Sequence, residues 1–433
     1  MPRPPDDKRP VGKRPADQPP VVAHPQAAGE PPAPQGAVEG RHYATGQYVR
    51  VTWGSGAIRT VSELAPAARS SIEERQAWIC PGLCDLQVNG YGGVNFTSDQ
   101  LTVLDVMQVA RQLAAHGTTR FLATLTTAAA EVFDHAIAVL AEARRSGPPW
   151  LTNMLVGIHL EGPYISSDDG PRGAHPRAHC RHPDVAELDR WQHLAEGAIR
   201  MVTLAPELPG ALELIRHASD IGIAVALGHL QANTAQLAAA ADAGARLSTH
   251  LGNGAHAVLP RHPNYLWDQL ADDRLAASLI VDGHHLPASV VRTMLRTKGT
   301  QRCLLVSDLT MLAGVTPGRY SSTALGNVDV LADGRLVVAD APQYLAGASR
   351  HLVENVELLG QLGELPWPQT WEMASNHPAR LIGLTECQLL PGQPAHLTLV
   401  ERGTGHDEPA GSRWPAPCRW QVLQAWIDGW APG

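Results

Sequence analysis

The segment Met154-Leu155-Val156-Gly157-Ile158-His159-Leu160-Glu161-Gly162-Pro163-Tyr164 combines an apolar run with a lone carboxylate and a Gly-Pro turn. The apolar residues are typical of a strand buried on both faces, and Gly-Pro marks the end of that strand. Glu161 is therefore predicted at the carboxyl end of a buried strand, where α/β barrels place their catalytic groups. Taken alone, the segment is equally compatible with an ordinary strand that ends in a solvated glutamate.

After Pro81-Gly82, the chain around this segment repeats an apolar strand, a loop and an amphipathic helix eight times. The predicted strands are residues 83–88, 119–124, 154–159, 200–204, 223–227, 245–249, 277–281 and 303–307. The predicted helices include residues 101–115, 131–145, 212–221, 234–243, 288–297 and 347–362. Eight such units favour an α/β fold of the TIM (β/α)8 barrel type over residues 81–385. A doubly wound open sheet is the alternative, but no Gly-x-Gly-x-x-Gly turn follows the first strand.

Both ends of the chain contain strand patterns that do not belong to this repeat. Short strands are predicted at residues 48–52 and 58–61, with a more helical segment at 65–74, and apolar strands at 395–400 and 422–427. Because these pieces flank the barrel in sequence, they predict a small β-sandwich domain formed by residues 41–80 and 386–433.

The first 40 residues differ in composition from the rest of the chain. They contain 11 of the 35 prolines and no Leu, Ile, Phe, Tyr or Trp. Such a segment cannot bury enough apolar surface to order itself, so residues 1–40 are predicted to be a disordered Pro-rich tail. An inert extension is the preferred interpretation, and a docking tail is the alternative.

Composition limits the classes of partner. The formal net charge is -8, from 34 basic and 42 acidic residues, and no polybasic run suits nucleic acid or an anionic membrane. The six cysteines show no Cys-x-x-Cys spacing, which argues against a disulfide framework or a thiolate zinc site. No signal-peptide core and no run of 18 apolar residues occurs. We therefore expect a cytoplasmic protein with a small-molecule partner.

Three further predicted strands end in residues that can support chemistry. His229 follows the fifth strand, His250 follows the sixth and Asp308 follows the eighth. Because the parallel strands of a barrel end at one face, these side chains and Glu161 are expected to meet. A carboxylate and two imidazoles suit a divalent ion such as zinc, with a fourth position open to water. With Asp308 as acid and base, this is the chemistry of amide hydrolysis.

Several short motifs between residues 80 and 385 occur in an order shared with a known enzyme family. They are Pro81-Gly82-Leu83-Cys84-Asp85-Leu86-Gln87-Val88-Asn89-Gly90, His159-Leu160-Glu161-Gly162-Pro163, Leu204-Ala205-Pro206-Glu207, Gly228-His229, Thr249-His250-Leu251 with Asn253, Asp282-Gly283-His284-His285, Ser307-Asp308 and Leu345-Ala346-Gly347. In these motifs the chain resembles the N-acetylglucosamine-6-phosphate deacetylases of the amidohydrolase superfamily. The resemblance implies metal-dependent hydrolysis of the acetamide of N-acetylglucosamine 6-phosphate to glucosamine 6-phosphate and acetate.

The resemblance also implies a role for individual residues. Glu161, His229 and His250 would be the ligands of one divalent metal ion, expected to be Zn2+, and Asp308 the catalytic acid and base. His175 would hold the acetyl carbonyl or its oxyanion. The implied substrate-binding residues are Gln87, Ala174, His175, Asn253, Gly254, Arg261, Asp282, His285, Leu345, Ala346 and Gly347. Gln87 stands where many amidohydrolases have a second strand-one histidine, so one metal rather than two is expected. A homodimer is a further expectation.

Departures from the family pattern leave the substrate open. The chain has Asn253-Gly254-Ala255 where Asn-Ala-Met is usual, and Arg261-His262-Pro263-Asn264 where Arg-Glu-Pro-Gly is usual. Leu309 follows the catalytic aspartate where alanine is common. One alternative is therefore an amidohydrolase of the same mechanism that acts on another N-acyl compound, including an unphosphorylated one. A second alternative is a catalytically silent sugar-binding protein with the same fold.

Overall fold

The computed structural model of the chain describes residues 34–66, 76–323, 325–403 and 419–432. The predicted helical segment at 65–74 lies almost entirely outside these ranges, and so does most of the Pro-rich tail. One boundary of the tail is corrected by the structure. Strand β1 (Gly36–His42) begins inside the predicted disordered segment, because it pairs antiparallel with β2 (Tyr48–Gly54). Two further strands, β3 (Ala57–Glu63) and β4 (Ala77–Pro81), complete this N-terminal part.

Eight parallel strands form the central sheet, and neighbours in the sheet follow chain order. A short hairpin interrupts the series after the first of them. In chain order the strands are β5 (Leu83–Val88), the hairpin strands β6 (Gly90–Tyr91) and β7 (Val94–Asn95), β8 (Thr118–Thr126), β9 (Leu155–Glu161), β10 (Ile199–Leu204), β11 (Ala224–Leu227), β12 (Leu247–Ser248), β13 (Ala276–Leu279) and β14 (Cys303–Leu305).

The first and last strands of this sheet approach each other. The Asp308 N–H donates to the Gln87 carbonyl at 3.0 Å, and Val88 and Leu309 form a parallel bridge. These contacts close the seam between β5 and β14, so the predicted TIM barrel is confirmed. The strands are almost wholly buried, as expected when helices cover a parallel sheet.

Eleven α-helices occur in the described residues, most of them on the outside of the barrel. They are α1 (Val103–Ala115), α2 (Ala130–Ser146), α3 (Pro149–Met154), α4 (Val185–Leu194), α5 (Ala211–Asp220), α6 (Thr234–Ala243), α7 (Tyr265–Ala271), α8 (Ala288–Lys298), α9 (Leu352–Gln361), α10 (Trp367–Glu372) and α11 (Asn376–Leu381). Two short 3-10 turns occupy Arg177–His179 and Thr300–Arg302. Among the described helices, none has the length and apolar character needed to cross a bilayer.

An antiparallel meander between β14 and α9 was not predicted. Its strands are β15 (Gly318–Thr323), β16 (Gly326–Val330), β17 (Leu336–Val338) and β18 (Ala341–Leu345). The helix predicted at 347–362 consequently begins only at Leu352. The meander was not predicted because its strands are short: β15 and β16 are interrupted by Gly and polar residues, and the apolar strand β17 has only three residues. It has a small core of its own, which includes Leu312, Val328 and Leu336.

The C-terminal strands β19 (Leu397–Arg402) and β20 (Trp420–Trp426) return to the N-terminal strands. The resulting six-stranded sheet has the order β20-β19-β4-β1-β2-β3, with β4 between segments from the two ends of the chain. The predicted β domain built from both ends is therefore confirmed, and its described residues form one sheet. Its buried residues Ile79 and Leu397 share one apolar core with Leu279 and Leu305 of the barrel.

Candidate functional site

The four residues singled out at predicted strand ends all lie at the carboxyl-terminal mouth of the barrel. Glu161 is the last residue of β9, and Asp308 follows β14 by three residues. His229 and His250 follow β11 and β12 by two residues each. The parallel strands bring side chains together that are separated by up to 147 positions in sequence (308 minus 161).

Three of these residues have a left-handed backbone. The φ angles are 52° at His229, 29° at His250 and 53° at Asp308. A non-glycine residue in this region costs of order 1–3 kcal/mol, and such strain clusters at functional sites. The chain therefore maintains an unfavourable backbone conformation after three of the eight barrel strands, β11, β12 and β14.

Three electron-rich atoms converge between β9, β11 and β12. Glu161 Oε1 lies 2.9 Å from His250 Nε2 and 3.2 Å from His229 Nε2, and the two Nε2 atoms lie 3.1 Å apart. Glu161, His229 and His250 are all buried. A carboxylate and two imidazole nitrogens this close require a proton or a cation between them.

The tautomer of His229 leaves a lone pair on the nitrogen that faces this centre. His229 Nδ1 lies 2.8 Å from the Pro171 carbonyl, which can only accept, so Nδ1 carries the hydrogen. In the neutral ring Nε2 is then a free lone pair directed at Glu161 and His250. An imidazole fixed in this way by a backbone carbonyl is typical of a metal ligand. The donor set therefore fits a divalent cation.

Charge interactions in the cluster perturb the pKa values of its members. Burial acts to raise the pKa of Glu161, but its close contacts with His229 and His250 outweigh burial and hold that pKa well below the ordinary value. Burial acts to lower the pKa of His250, but the hydrogen bond to Glu161 outweighs it and raises that pKa. The carboxylate form of Glu161 is thus strongly favoured, as a hard metal ligand requires.

Gln87, on β5, contacts the centre through Glu161. Its Nε2 donates to Glu161 Oε1 at 2.6 Å, and its side chain is buried. An amide donor at this distance orients the carboxylate. His159, two residues before Glu161, is fully buried, with Nε2 2.8 Å from Thr203 Oγ1 and Nδ1 3.1 Å from the Leu86 carbonyl. It is a packed neighbour of the site, as predicted.

Asp308 is held by a residue that sequence reasoning did not single out. Asn89 Nδ2 donates to Asp308 Oδ1 at 2.7 Å. Burial raises the pKa of the Asp308 carboxyl to about 7, and the negative charge of Glu161 adds to the effect. The available signal was that Asn89 directly follows β5, at the same end of the barrel as the other site residues.

His175 also depends on a neighbour that was missed. The Thr127 N–H donates to His175 Nδ1 at 3.3 Å, and Thr127 Oγ1 lies 2.9 Å from the same nitrogen. Because a backbone N–H can only donate, Nδ1 is the acceptor and the hydrogen of the neutral ring is on Nε2. Burial, and then the proximity of His229, lower the pKa of His175 to about 3, so the ring stays neutral. Ligand atoms of His175, Glu161 and His229 lie within 4.8 Å of one another.

The residues predicted to contact the sugar follow β13, and those predicted to contact its phosphate, Asn253 and Arg261, follow β12. His285 Nδ1 contacts Asp282 Oδ2 at 2.7 Å, and Asp282 Oδ1 accepts from the His285 backbone at 2.9 Å. Burial acts to raise the pKa of Asp282, but the hydrogen bonds from His285 outweigh it and lower that pKa to about 2. Asn253 Nδ2 donates to the His250 carbonyl at 3.0 Å. Arg261 is exposed.

The remaining predicted substrate-binding residues are Ala174, Gly254, Leu345, Ala346 and Gly347. Ala174 precedes His175 in the loop after β9, and Gly254 packs against His229, since an added Cβ would lie 2.7 Å from His229 Nδ1. Leu345 ends β18, and Ala346 and Gly347 follow it. A Cβ at Gly347 would meet Thr310 Cγ2 at 2.3 Å, so this glycine packs against the segment that follows Asp308.

Comparison with known proteins agrees with this geometry. The "Amidohydrolase family" model matches residues 78–423. The chain is 34% identical to the N-acetylgalactosamine-6-phosphate deacetylase of Escherichia coli O157:H7, covering 83% of this chain and 89% of the relative. It is 31% identical to the N-acetylglucosamine-6-phosphate deacetylase of Bacillus subtilis strain 168, covering 80% and 87%.

A solved structure also matches over nearly the whole chain. It is a point mutant of the N-acetyl-D-glucosamine-6-phosphate deacetylase from Mycobacterium smegmatis in complex with N-acetyl-D-glucosamine-6-phosphate, with a TM-score of 0.77 and 28% identity. The match covers 92% of this chain and 99% of that one. The resemblance stated from the motifs is confirmed. The chain belongs to the amidohydrolase family, whose members bind a divalent metal and hydrolyse their substrates.

Proposed function

We propose that this protein removes the acetyl group of N-acetylglucosamine 6-phosphate, giving glucosamine 6-phosphate and acetate. The observation that carries the proposal is the convergence of Glu161, His229 and His250 beside Asp308 at the barrel mouth. Relatives that perform this reaction support it. The presence of all four groups argues against a silent sugar-binding protein.

Glu161, His229 and His250 would hold the divalent ion, and zinc suits one carboxylate and two imidazoles. When bound, such an ion supplies Lewis acidity, which polarises a carbonyl group and makes water more acidic. Gln87 fixes the carboxylate of Glu161 and Pro171 fixes the ring of His229, so the ligand set is oriented before the ion arrives.

Asp308 is the proposed acid and base. Asn89 occupies its Oδ1, and no hydrogen bond from a described residue restrains Oδ2. Its carboxyl can accept a proton from the attacking water and pass it to the amine as the C–N bond breaks. A pKa of about 7 suits a group that must both take and give a proton near neutrality.

His175 is the proposed donor to the acetyl oxygen. Its Nε2–H is fixed by Thr127 and its ring is neutral, so the donor is preset before charge develops on that oxygen. Removing one preset donor of this kind costs about 10²–10³ in rate.

The sugar and its phosphate are proposed to bind on the β12 and β13 side of the mouth. Asp282 orients His285 towards sugar hydroxyls, and Asn253 lies beside the metal ligands. Arg261 offers a forked guanidinium to the phosphate. The proposed substrate contacts also include Gln87, Ala174, Gly254, Leu345, Ala346 and Gly347.

A second candidate substrate is the galacto epimer, N-acetylgalactosamine 6-phosphate. The observation that favours it is the 34% identity to a deacetylase of that compound. The epimers differ only at one hydroxyl, so they share the metal, Asp308, His175 and phosphate contacts proposed above.

The decisive experiment measures acetate release by zinc-loaded protein from both 6-phosphates and from unphosphorylated N-acetylglucosamine. Release from the gluco phosphate, lost in Asp308→Asn while bound metal is retained, is the expected result. Faster release from the galacto phosphate would favour the second candidate. Failure with all three compounds, at full metal content, would refute a hexosamine deacetylase.

The phosphate contact is tested separately with Arg261→Ala. We expect KM for the 6-phosphate to rise at least about tenfold, as for loss of a charge-assisted contact, with little change for the unphosphorylated sugar. Equal kinetics for wild type and variant would favour the unphosphorylated N-acyl alternative. Zinc as the natural ion, a homodimer and a cytoplasmic location remain predictions, which metal analysis, sedimentation and fractionation would check.

A further inference from the structure

A cavity of about 540 Å³ opens beside the reacting centre on the side away from the proposed phosphate contact. Its floor includes His175, Thr127, Asn89 and Thr310. These are the oxyanion donor, the residue that fixes it, the residue that holds Asp308 and a residue two positions after Asp308. The cavity therefore adjoins the scissile amide directly. Its volume falls within the range of small-molecule sites, about 300–1,000 Å³.

The barrel geometry shows which end of the substrate this cavity would receive. Asn89 follows β5 and Thr127 follows β8, the first and second barrel strands, whereas Asn253 and Arg261 follow β12, the sixth. In an eight-stranded barrel the second and sixth strands lie on opposite sides of the axis. None of the residues proposed to hold the phosphate lines the cavity.

The amide itself separates the two ends of the substrate. A secondary amide is planar and trans, so the acyl chain and the sugar leave the C–N bond in opposite directions. With the sugar phosphate on the β12 side, the acyl chain is directed to the β5 and β8 side. The methyl of an acetyl group occupies about as much space as one water molecule, roughly 30 Å³. It would leave most of the cavity unused.

Part of the cavity wall is apolar. It includes Ala128, Ala129 and Val132, around the start of α2, together with Met311 and Leu325. The rest is polar and includes Asn95, Thr97, Ser98, Asp99, Thr126 and His179. An apolar wall beside a catalytic floor is suited to a short unbranched chain.

Resting on the proposed function, we propose that the protein hydrolyses N-acyl hexosamine 6-phosphates with acyl chains longer than acetyl, and that this cavity holds the chain. Water adds to the acyl carbon, the C–N bond breaks and the amine takes a proton. The products are the hexosamine 6-phosphate and a short-chain carboxylate. The site would thus select for the acyl group as well as for the sugar.

The test compares N-acetyl, N-butanoyl and N-hexanoyl glucosamine 6-phosphate with zinc-loaded wild type. Each buried methylene is expected to raise kcat/KM up to about fourfold, so the butanoyl compound should exceed the acetyl compound. Val132→Phe, which narrows the cavity, should lower kcat/KM at least about tenfold for the butanoyl compound and less than about twofold for the acetyl compound. Ala129→Leu should act in the same way if Val132→Phe unfolds. Leu104→Phe adds a comparable ring at a position that is 74% exposed and should change neither.

Three outcomes overturn the inference. Wild type that cleaves the acetyl compound but cleaves the butanoyl compound at least tenfold less well shows a closed acyl site and leaves the proposed function intact. If the cavity variants raise KM equally for all chain lengths, the cavity holds the sugar. No cleavage of any compound, including the acetyl one, removes the proposed function together with this inference.

Discussion

At the scale of single residues, the site consists of reactive groups and the partners that hold them. The Pro171 carbonyl and Thr127 set which ring nitrogen carries the hydrogen in His229 and His175, and Asn89 orients the carboxylate of Asp308. His229 and Asp308 could be found from the sequence because each follows an apolar strand and is of a type that binds metals or moves protons, whereas His175 was indicated only by the family resemblance. The partners could not, because an asparagine, a threonine or a backbone carbonyl is unremarkable until folding directs it at its target.

His175→Ala is expected to lower kcat about 10²–10³-fold with little change in KM, because the Nε2–H contacts the developing oxyanion more strongly than the ground-state carbonyl. Steady-state kinetics on N-acetylglucosamine 6-phosphate would measure this. His182→Ala, at an exposed position in the same loop, is the matched control. A rise in KM with unchanged kcat would instead place His175 in ground-state binding.

Asp85, buried at the seam of the barrel, predicts a pH dependence of stability. Its Oδ1 accepts from the Gln87 and Ser307 N–H groups, while Oδ2 has no partner among the described residues. Burial raises its pKa from 3.8 to about 6. The folded state thus binds this proton more tightly than the unfolded state, and stability falls as pH rises between these values.

Asp85→Asn removes this titration and keeps the two accepted hydrogen bonds. We expect the free energy of unfolding of the variant, relative to wild type, to increase by about 2.4 kcal/mol between pH 4 and pH 7, because part of the energy that corresponds to the pKa shift has already developed at pH 4. Denaturant titrations at both pH values would measure it. Asp99→Asn, on the surface, is the control. A difference that does not vary with pH would show that the pKa of Asp85 is the same in the folded and unfolded protein.

At the scale of elements, the strands of the barrel could be predicted from the sequence, but the backbone conformation of the residues that follow them could not. A buried parallel strand is an apolar run that can be read directly, but the left-handed φ at His229, His250 and Asp308 leaves no mark in composition. The meander was not predicted because short strands that contain Gly and polar residues resemble loops. Ordered structure was predicted to begin at Arg41, which is later in the chain than the start of β1. The earlier start could not be predicted because β1 is stabilised by pairing with β2, a tertiary contact.

Helix α1 provides a test of local stabilisation. Thr102 Oγ1 accepts from the Asp105 N–H at 3.3 Å, and Asp105 Oδ2 accepts from the Thr102 N–H at 2.9 Å, which forms a capping box. Thr102→Ala is expected to lower the free energy of unfolding by about 1 kcal/mol. Thr102→Ser, which keeps the hydroxyl, should cost much less, and chemical denaturation would compare them. Equal losses would assign the effect to the threonine methyl group.

At the scale of the whole molecule, the barrel and the terminal sheet are joined by a common core and by hydrogen bonds. The Gly82 N–H donates to the His396 carbonyl at 2.8 Å, and Trp371 Nε1 donates to the Pro81 carbonyl at 2.8 Å. Thr398 Oγ1 donates to the Gly117 carbonyl at 3.0 Å. The chain order alone indicated that both ends would meet, but it gave no measure of how firmly the sheet is attached to the barrel.

This attachment predicts one cooperative unfolding transition for the barrel and the terminal sheet. Leu397→Ala, in β19, should cost about 2–5 kcal/mol and lower the midpoint of the whole transition, because Leu397 lies in the core shared with the barrel. Calorimetry monitored together with acetate release would measure both. Leu390→Ala, at a position that is 50% exposed, is the control. A variant that shows two separate transitions would contradict a shared core.

The hydrogen bond from His229 to Pro171 concerns a main-chain oxygen, which every amino acid possesses. Substitution of residue 171 can therefore leave this interaction in place, and a mutational scan of side chains would record the position as tolerant. Inserting or deleting one residue between 166 and 171 would move the oxygen away, although no residue with a recognised chemical role would have changed. The length of this loop therefore determines whether the Pro171 carbonyl can hold His229 in the proposed metal site, and a comparison of residue identities at position 171 would not detect it.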